Sequence, residues 1–169
     1  MELGLKGKHV IVTGGGPGIM EASNRGASDA GGRSLGLNIV LPHEQHPNAY
    51  ISPEFCFRFH YFGIRKMHFM MRAKAVVVFP GGFGTQDECF EILTLIQTGK
   101  SPIVPVVMID PPGSSYWKNW DRYVRNELLP NELINAEDLN LYQIVTVVDD
   151  AVDHTQYFYP NFPSQRFVR

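Results

Sequence analysis

Thiols are scarce in this sequence: Cys56 and Cys89 are the only two cysteines among 169 residues. They form no C-x-x-C pair and suggest no disulfide framework. A reducing cytoplasm is therefore the expected compartment. Long apolar runs are also missing. Ala75 to Phe79 and Ile103 to Ile109 are the longest, with Pro105 inside the second, and both fall far short of the roughly 20 residues that cross a bilayer. The opening MELGLKGKH holds no apolar signal segment, so no membrane partner is expected. Charge is sparse too. Charged residues make up 19%, and 15 basic against 17 acidic side chains give a net charge of -2. With no long basic stripe, nucleic acid is not an expected partner. What remains, 44% hydrophobic residues in a chain of this length, reads as a single globular domain over 1–169.

Glycine and proline, by contrast, are plentiful, at 16 and 12 residues. Many of the glycines fall in two tight clusters. The first, Gly14-Gly15-Gly16-Pro17-Gly18, follows the β-branched run HVIVT (9–13) and precedes a helix expected over 19–31, with Ala22, Gly26 and Ala30 along one side. SLGLNIV (34–40) reads as a strand, and 41–52 as a loop. Residues 55–73 read as one helix, in which Ile64, Met67 and Met71 recur at i, i+3 and i+7 to form an apolar face. Ala75 to Phe79 is continuously apolar, which suits the centre of a sheet covered on both faces. The second cluster, Pro80-Gly81-Gly82-Phe83-Gly84, leads into a helix over 85–98 closed by Gly99. A strand over 103–109, a helix over 117–129 ended by Pro130, and a strand over 144–148 complete the chain, and Asp149 is placed to cap a short last helix. Strands alternating with helices make βαβ units and a parallel sheet. Such sheets bind ligands beyond the carboxyl ends of their strands, where both glycine clusters lie.

Consecutive glycines let backbone N–H groups converge and let a ligand approach closely. A helix that begins at once adds free N–H donors and partial positive charge, which suit phosphate. The first cluster fits neither the G-x-G-x-x-G fingerprint, because Ile19 stands at the third glycine position, nor the Walker pattern, because no Gly-Lys-Ser/Thr follows. A tight turn and a phosphate site are equally open there. In the second, Thr85 brings a hydroxyl to the helix start, and Asp87 and Glu88 fall in the first turn. Acids there are explained by the helix dipole alone, unless the same helix end takes an anion. In that case they need another purpose or cationic partners, and the Arg65-Lys66 pair could supply the cations. By itself that pair reads as a solvated helix face, since Arg72 and Lys74 follow.

Other features carry less. His43 and His46 are spaced H-x-x-H around Glu44, but two histidines without further ligands make a poor metal site, and loop polarity explains them. Cys89 could be a reactive thiol beside positive charge, although a small buried residue is the simpler reading. Trp117 and Trp120 read as packing residues. The aromatic, basic tail over 157–169 either packs on a neighbouring chain or frays.

TGGGPGIMEA (13–22), Arg65-Lys66 and PGGFGTQDE (80–88) together resemble the Lonely Guy family, formerly labelled "possible lysine decarboxylase". Its hallmark P-G-G-x-G-T-x-x-E is matched at every fixed position. The resemblance runs from about residue 9 to 150, and LPHEQHPN (41–48) and EILTLIQTGK (91–100) also look like its larger bacterial members. It implies a Rossmann-like α/β fold, a three-layer sandwich around a mostly parallel sheet. Only eight residues precede HVIVT, so the family's usual first strand and helix are expected to be absent from this fold. It also implies a nucleoside 5'-monophosphate phosphoribohydrolase acting on AMP-like or cytokinin nucleotides, working without cofactor or metal, as a homodimer with the Arg65 helix near the interface. By motif position, Arg65 and Glu88 match the catalytic pair. Glu44, Lys66, Gly81, Gly82, Phe83, Gly84, Thr85, Gln86, Asp87, Glu88 and Thr94 match nucleotide-binding positions, with Gly14, Gly15, Gly16 and Gly18 helping to hold phosphate or ribose. The alternative is a non-catalytic nucleotide-binding module on the same scaffold. A pyridoxal-dependent decarboxylase would need a lysine at the cofactor, and no lysine lies in either glycine motif.

Overall fold

Short β-branched runs separated by glycine turns and helix-length segments can pair only in parallel, with each helix carrying the chain back across a sheet. The computed structural model describes residues 10–40 and 46–161, and it follows this logic throughout. All four strand pairings are parallel, and the architecture is α/β and Rossmann-like. The chain divides into two compact units, residues 1–72 and 73–169. The additional first strand and helix of the family would lie ahead of Val10, and residues 1–9 are outside the described range.

In the first unit, β1 (Val10–Thr13), β2 (Arg33–Ile39) and β3 (Cys56–Phe59) form a sheet with β2 in the middle. Helix α1 (Ile19–Asp29) links β1 to β2, and α2 (Phe62–Arg72) follows β3. In parallel pairs, side chains in register share a face. Thr13 and Ser34 therefore point one way, towards Asn24 of α1, while Phe59 points the other way, where His68 of α2 meets its ring at 5.3 Å. The two helices thus cover opposite faces. Gly36 leaves space for Ile51, whose Cδ1 would lie 2.5 Å from any added Cβ.

The single helix expected over 55–73 is corrected here. Pro53–Phe55 is a 3-10 turn, Cys56–Phe59 is strand β3, and the helix begins only at Phe62. The pairing explains the difference. C-F-R-F is an aromatic, alternating segment that completes the free side of β2, and tertiary pairing overrode a pattern that helix periodicity also fitted.

In the second unit, β4 (Val76–Val78), β5 (Val106–Ile109) and β6 (Gln143–Val145) form a sheet with β5 in the middle. The central position expected for the 75–79 run belongs to β5, whose four residues are all buried, whereas Val77 on β4 is 45% exposed. Helix α3 (Phe83–Gln97) joins β4 to β5. Helix α4 (Tyr116–Tyr123) is shorter than the expected 117–129 because Val124–Leu128 winds as a wider π turn before Pro130. Helix α5 (Val148–Asn161), longer than expected, lays Ala151 on Val107, Ile109 and Val145. Near its end the Tyr159 hydroxyl donates to the backbone carbonyl of Lys74.

Directly after β5, Asp110 is fully buried. Its Oδ2 accepts the backbone N–H of Trp117 at 3.2 Å and of Lys118 at 3.5 Å, so it ties the start of α4 to the end of the central strand. Trp117, also fully buried, meets Tyr116 and Trp120 edge-on. Removing a carboxylate that caps a helix start costs about 1–2 kcal/mol. Asp110→Ala should lose about that much in urea denaturation, whereas Asp110→Asn, whose carbonyl oxygen still accepts, should keep most of it.

Candidate functional site: two glycine loops at strand ends

The first loop leaves β1 at Thr13 and enters α1 at Ile19. Gly15 and Gly18 have φ of +76° and +71°, a left-handed conformation that side chains resist. A Cβ on Gly15 would also lie 2.5 Å from Oδ1 of Asn38. The loop is held from within. The N–H of Gly15 donates to Thr13 Oγ1 at 3.0 Å, and Thr13 Oγ1 donates to Asn24 Oδ1 at 2.7 Å. Asn48 closes the other side: its backbone N–H donates to the Gly15 carbonyl, and its Nδ2 reaches both the Gly16 carbonyl and Asn24 Oδ1. Asn24, 0% exposed, completes the network by donating to Ser34 Oγ.

Arg65 joins this loop. It is 8% exposed, and its guanidinium lies over the rings of Phe62 and Phe69, at 5.6 and 5.4 Å from their centroids. Its Nη1 would lie 3.3 Å from a Cβ on Gly14, so the charged end of the side chain comes up close against the loop. A solvated helix face is thereby ruled out for Arg65. Lys66, the next residue, is half-buried. Glu44 and His43 lie outside the described residues.

The second loop leaves β4 after Val78 and enters α3 at Phe83, with Gly82 as its cap residue. Gly81 to Gly84 are exposed, Phe83 almost completely at 96%. Gly82 has no side chain to cap the helix, so the first-turn N–H groups stay available to a ligand. Gly81 rests directly on Thr85: an added Cβ would lie 2.2 Å from its Oγ1 and 2.8 Å from its Cβ. Gln86 donates to the Tyr116 hydroxyl, which in turn donates to the Gly81 carbonyl at 2.6 Å. Asp87 is exposed and Glu88 half-buried in the turns that follow. Thr94 sits nine residues beyond Thr85, about 13 Å along the helix axis. It lines a small groove with Phe90, Gln97 and Trp120, away from the helix start.

Burial pushes the Cys89 thiol up to about 12, so it remains protonated at neutral pH. A buried small residue, not a reactive thiol, is what the second cysteine provides. Among the described residues, no group of three or more His, Cys, Asp or Glu side chains is placed to hold a metal ion. The residues that sequence reasoning missed are Asn24, Asn48, Asp110 and Tyr116, which hold the loops, and Asn38, which lies against Gly15. Asn24 did leave a signal, since asparagine is a poor helix-interior residue unless its side chain is engaged.

Two glycine loops at strand ends, one with a buried arginine beside it, lie at the edge where parallel α/β sheets take their ligands. Residues 20–155, well over half of the chain, match the family model described as "Possible lysine decarboxylase". The chain belongs to that family, the Lonely Guy family. Among solved structures, the X-ray structure of TM1055, a Northeast Structural Genomics Consortium target, is 25% identical with a TM-score of 0.58, over 88% of this chain and 78% of that one. The structure of the molybdenum cofactor binding protein from the phototrophic bacterium Rippkaea orientalis is 18% identical, with a TM-score of 0.54 over 92% of this chain and 78% of that one, a likeness of fold. No curated protein matches the chain in sequence.

The hydrogen-bond network predicts what happens when its centre is removed. Asn24→Ala leaves Thr13, Ser34 and Asn48 each short of a partner in a buried setting, at a cost of about 1–3 kcal/mol. Urea denaturation should show that loss, together with faster amide exchange at Gly15.

Proposed function

We propose that this protein hydrolyses the N-glycosidic bond of a nucleoside 5'-monophosphate, AMP-like or a cytokinin nucleotide, releasing the free base and ribose 5-phosphate. The observation that carries the reading is the buried Arg65 guanidinium beside Gly14. A cation taken out of water at a glycine loop is suited to an anion that arrives with a ligand. Family membership supports the same reading, and the match running across both units supports treating 1–169 as one functional domain.

In this reading the glycine loops, Lys66 and Thr85 hold the phosphate and ribose, with Phe83, Gln86, Asp87 and Thr94 at further nucleotide positions. Their binding energy places C1' for reaction. As the C1'–N bond stretches, its electron pair moves to the base and positive charge builds on the ribose. The Glu88 carboxylate stabilises that charge and orients a water whose oxygen bonds to C1'. One water proton ends on the base nitrogen. Arg65 steadies the phosphate or Glu88 and assists departure of the base.

Pyridoxal chemistry fits these residues poorly. Among the described residues, Lys74, Lys100 and Lys118 are exposed and Lys66 is half-buried. None lies in the glycine loops, whereas a Schiff-base lysine needs a sheltered place at its cofactor. We therefore do not carry the decarboxylase wording to this chain. The cytoplasm is the compartment we assign, on the basis of two free cysteines. Among the described residues, no helix is long and apolar enough to cross a membrane.

A homodimer belongs to the same proposal. The apolar face of α2 anticipated from its spacing does not turn inward: Ile64, Met67 and Met71 are 48%, 50% and 67% exposed. A second copy is the occupant that this reading assigns to the stripe.

Incubating the protein with AMP and other nucleoside monophosphates, with chromatography for released base, is the test. Release from none of them would favour the non-catalytic binding module. Glu88→Gln should lower base release by about 100-fold or more while nucleotide still binds; unchanged turnover would remove Glu88 from its role. Met67→Glu should shift sedimentation from dimer towards monomer, and a wild-type protein that sediments only as a monomer would end the dimer assignment.

A further inference from the structure

The Tyr116 hydroxyl has one hydrogen, and the structure shows where it goes. A carbonyl can only accept, so the hydrogen bond to Gly81 uses that hydrogen, and Gln86 must present its NH2 group to the same oxygen. One hydroxyl therefore clamps both the loop, at Gly81, and the first turn of α3, at Gln86. Tyr116 is itself fixed. It is the first residue of α4, its N–H donates to Ser114 Oγ at 3.1 Å, its ring meets Trp117 edge-on at 4.8 Å, and Asp110 holds the two residues that follow.

The consequence lies in the peptide plane. In a trans peptide the carbonyl oxygen and the following N–H point in opposite directions. No cis bond occurs among the described residues. Holding the Gly81 oxygen towards Tyr116 therefore turns the Gly82 N–H away from Tyr116. Glycines on both sides of this peptide make its reversal cheap, and a reversed peptide would show oxygen where the N–H had been, repelling an anion.

We propose that Tyr116 is a positioning residue that locks the Gly81–Gly82 peptide, so that the Gly82 N–H faces the phosphate of the bound ligand. The role rests on the reading above that this helix start takes a phosphate group, but the lock itself can be measured without any turnover. Tyr116→Phe removes the hydroxyl and keeps the ring against Trp117.

In the ligand-free protein, backbone relaxation at Gly82 should show the freed peptide, with the N–H order parameter falling from the rigid range of about 0.85 to below about 0.6, or with new relaxation dispersion at that amide. Calorimetric affinity for ribose 5-phosphate should fall about 5- to 10-fold, the change expected for weakening one hydrogen bond, while affinity for unphosphorylated adenosine stays the same. With AMP as substrate, KM should rise and kcat should change by less than about 3-fold. Gln86→Leu, which leaves the Tyr116 hydrogen on Gly81, should show a smaller effect in the same direction. Unchanged backbone relaxation at Gly82 in Tyr116→Phe would overturn the lock. Equal losses for ribose 5-phosphate and adenosine, or no binding of ribose 5-phosphate by the wild type, would overturn its role towards phosphate. If the wild type binds ribose 5-phosphate and releases no base from any nucleotide, the hydrolase reading fails and the lock stands.

Discussion

A run of glycines binds nothing unless something holds it still, and in the first unit that task falls to the carboxamide of Asn24. Backbone with no side chains loses the most freedom on ordering. The convergence of N–H groups that makes a glycine loop useful has to be imposed from outside the loop. Asn24 does this from the middle of α1, with its oxygen on Thr13 and Asn48 and its nitrogen on Ser34. One fully buried side chain thereby joins the end of β1, the middle strand, the helix after the loop and the segment that closes over it. The second unit meets the same requirement differently. There the restraint comes from the following helix, where Asp110 fixes the start of α4 and Tyr116 reaches back to Gly81.

Arg65 shows how a charge is kept in a place that disfavours it. Burial of a guanidinium is costly unless its surroundings compensate. Two phenylalanine faces do part of this, and the charged end comes up close against the loop at Gly14. The same helix turns Ile64, Met67 and Met71 to solvent. One helix therefore carries a buried cation on one side and an exposed apolar stripe on another, the reverse of the usual distribution for a surface helix. A protein selected only for folding would gain nothing from that arrangement.

Much of this was legible in the sequence, because the signals were local. Runs such as V-I-V-T and V-V-M-I, bounded by glycine or proline, settled strand positions to within a few residues, and Gly99 marked the end of α3 with its φ of +67°. The exceptions were decided by distant partners. C-F-R-F became a strand because β2 had a free side, and Ala75 to Phe79 lost the central place because β5 has neighbours on both sides. The runs TGGGPG and P-G-G-x-G-T-x-x-E marked the two loops and, with Arg65-Lys66, the family. They could not identify the residues that restrain the loops: Asn24 lies inside a helix, Tyr116 stands 35 residues beyond Gly81, and each acts through a contact that only folding creates. Without the family resemblance Arg65 reads as a surface residue for the same reason, since nothing in a helix sequence says which cation will be enclosed by Phe62 and Phe69.

The bond from Tyr159 to the Lys74 carbonyl has a topological meaning. The second unit begins at Ala73, so this contact brings the far end of α5 to the point where the chain enters. A unit whose entrance and exit meet can be spliced into another chain, or rejoined end to end and opened elsewhere, without stretching its sheet. In that sense the Tyr159 phenol fastens residues 73–161 into a nearly closed ring of chain.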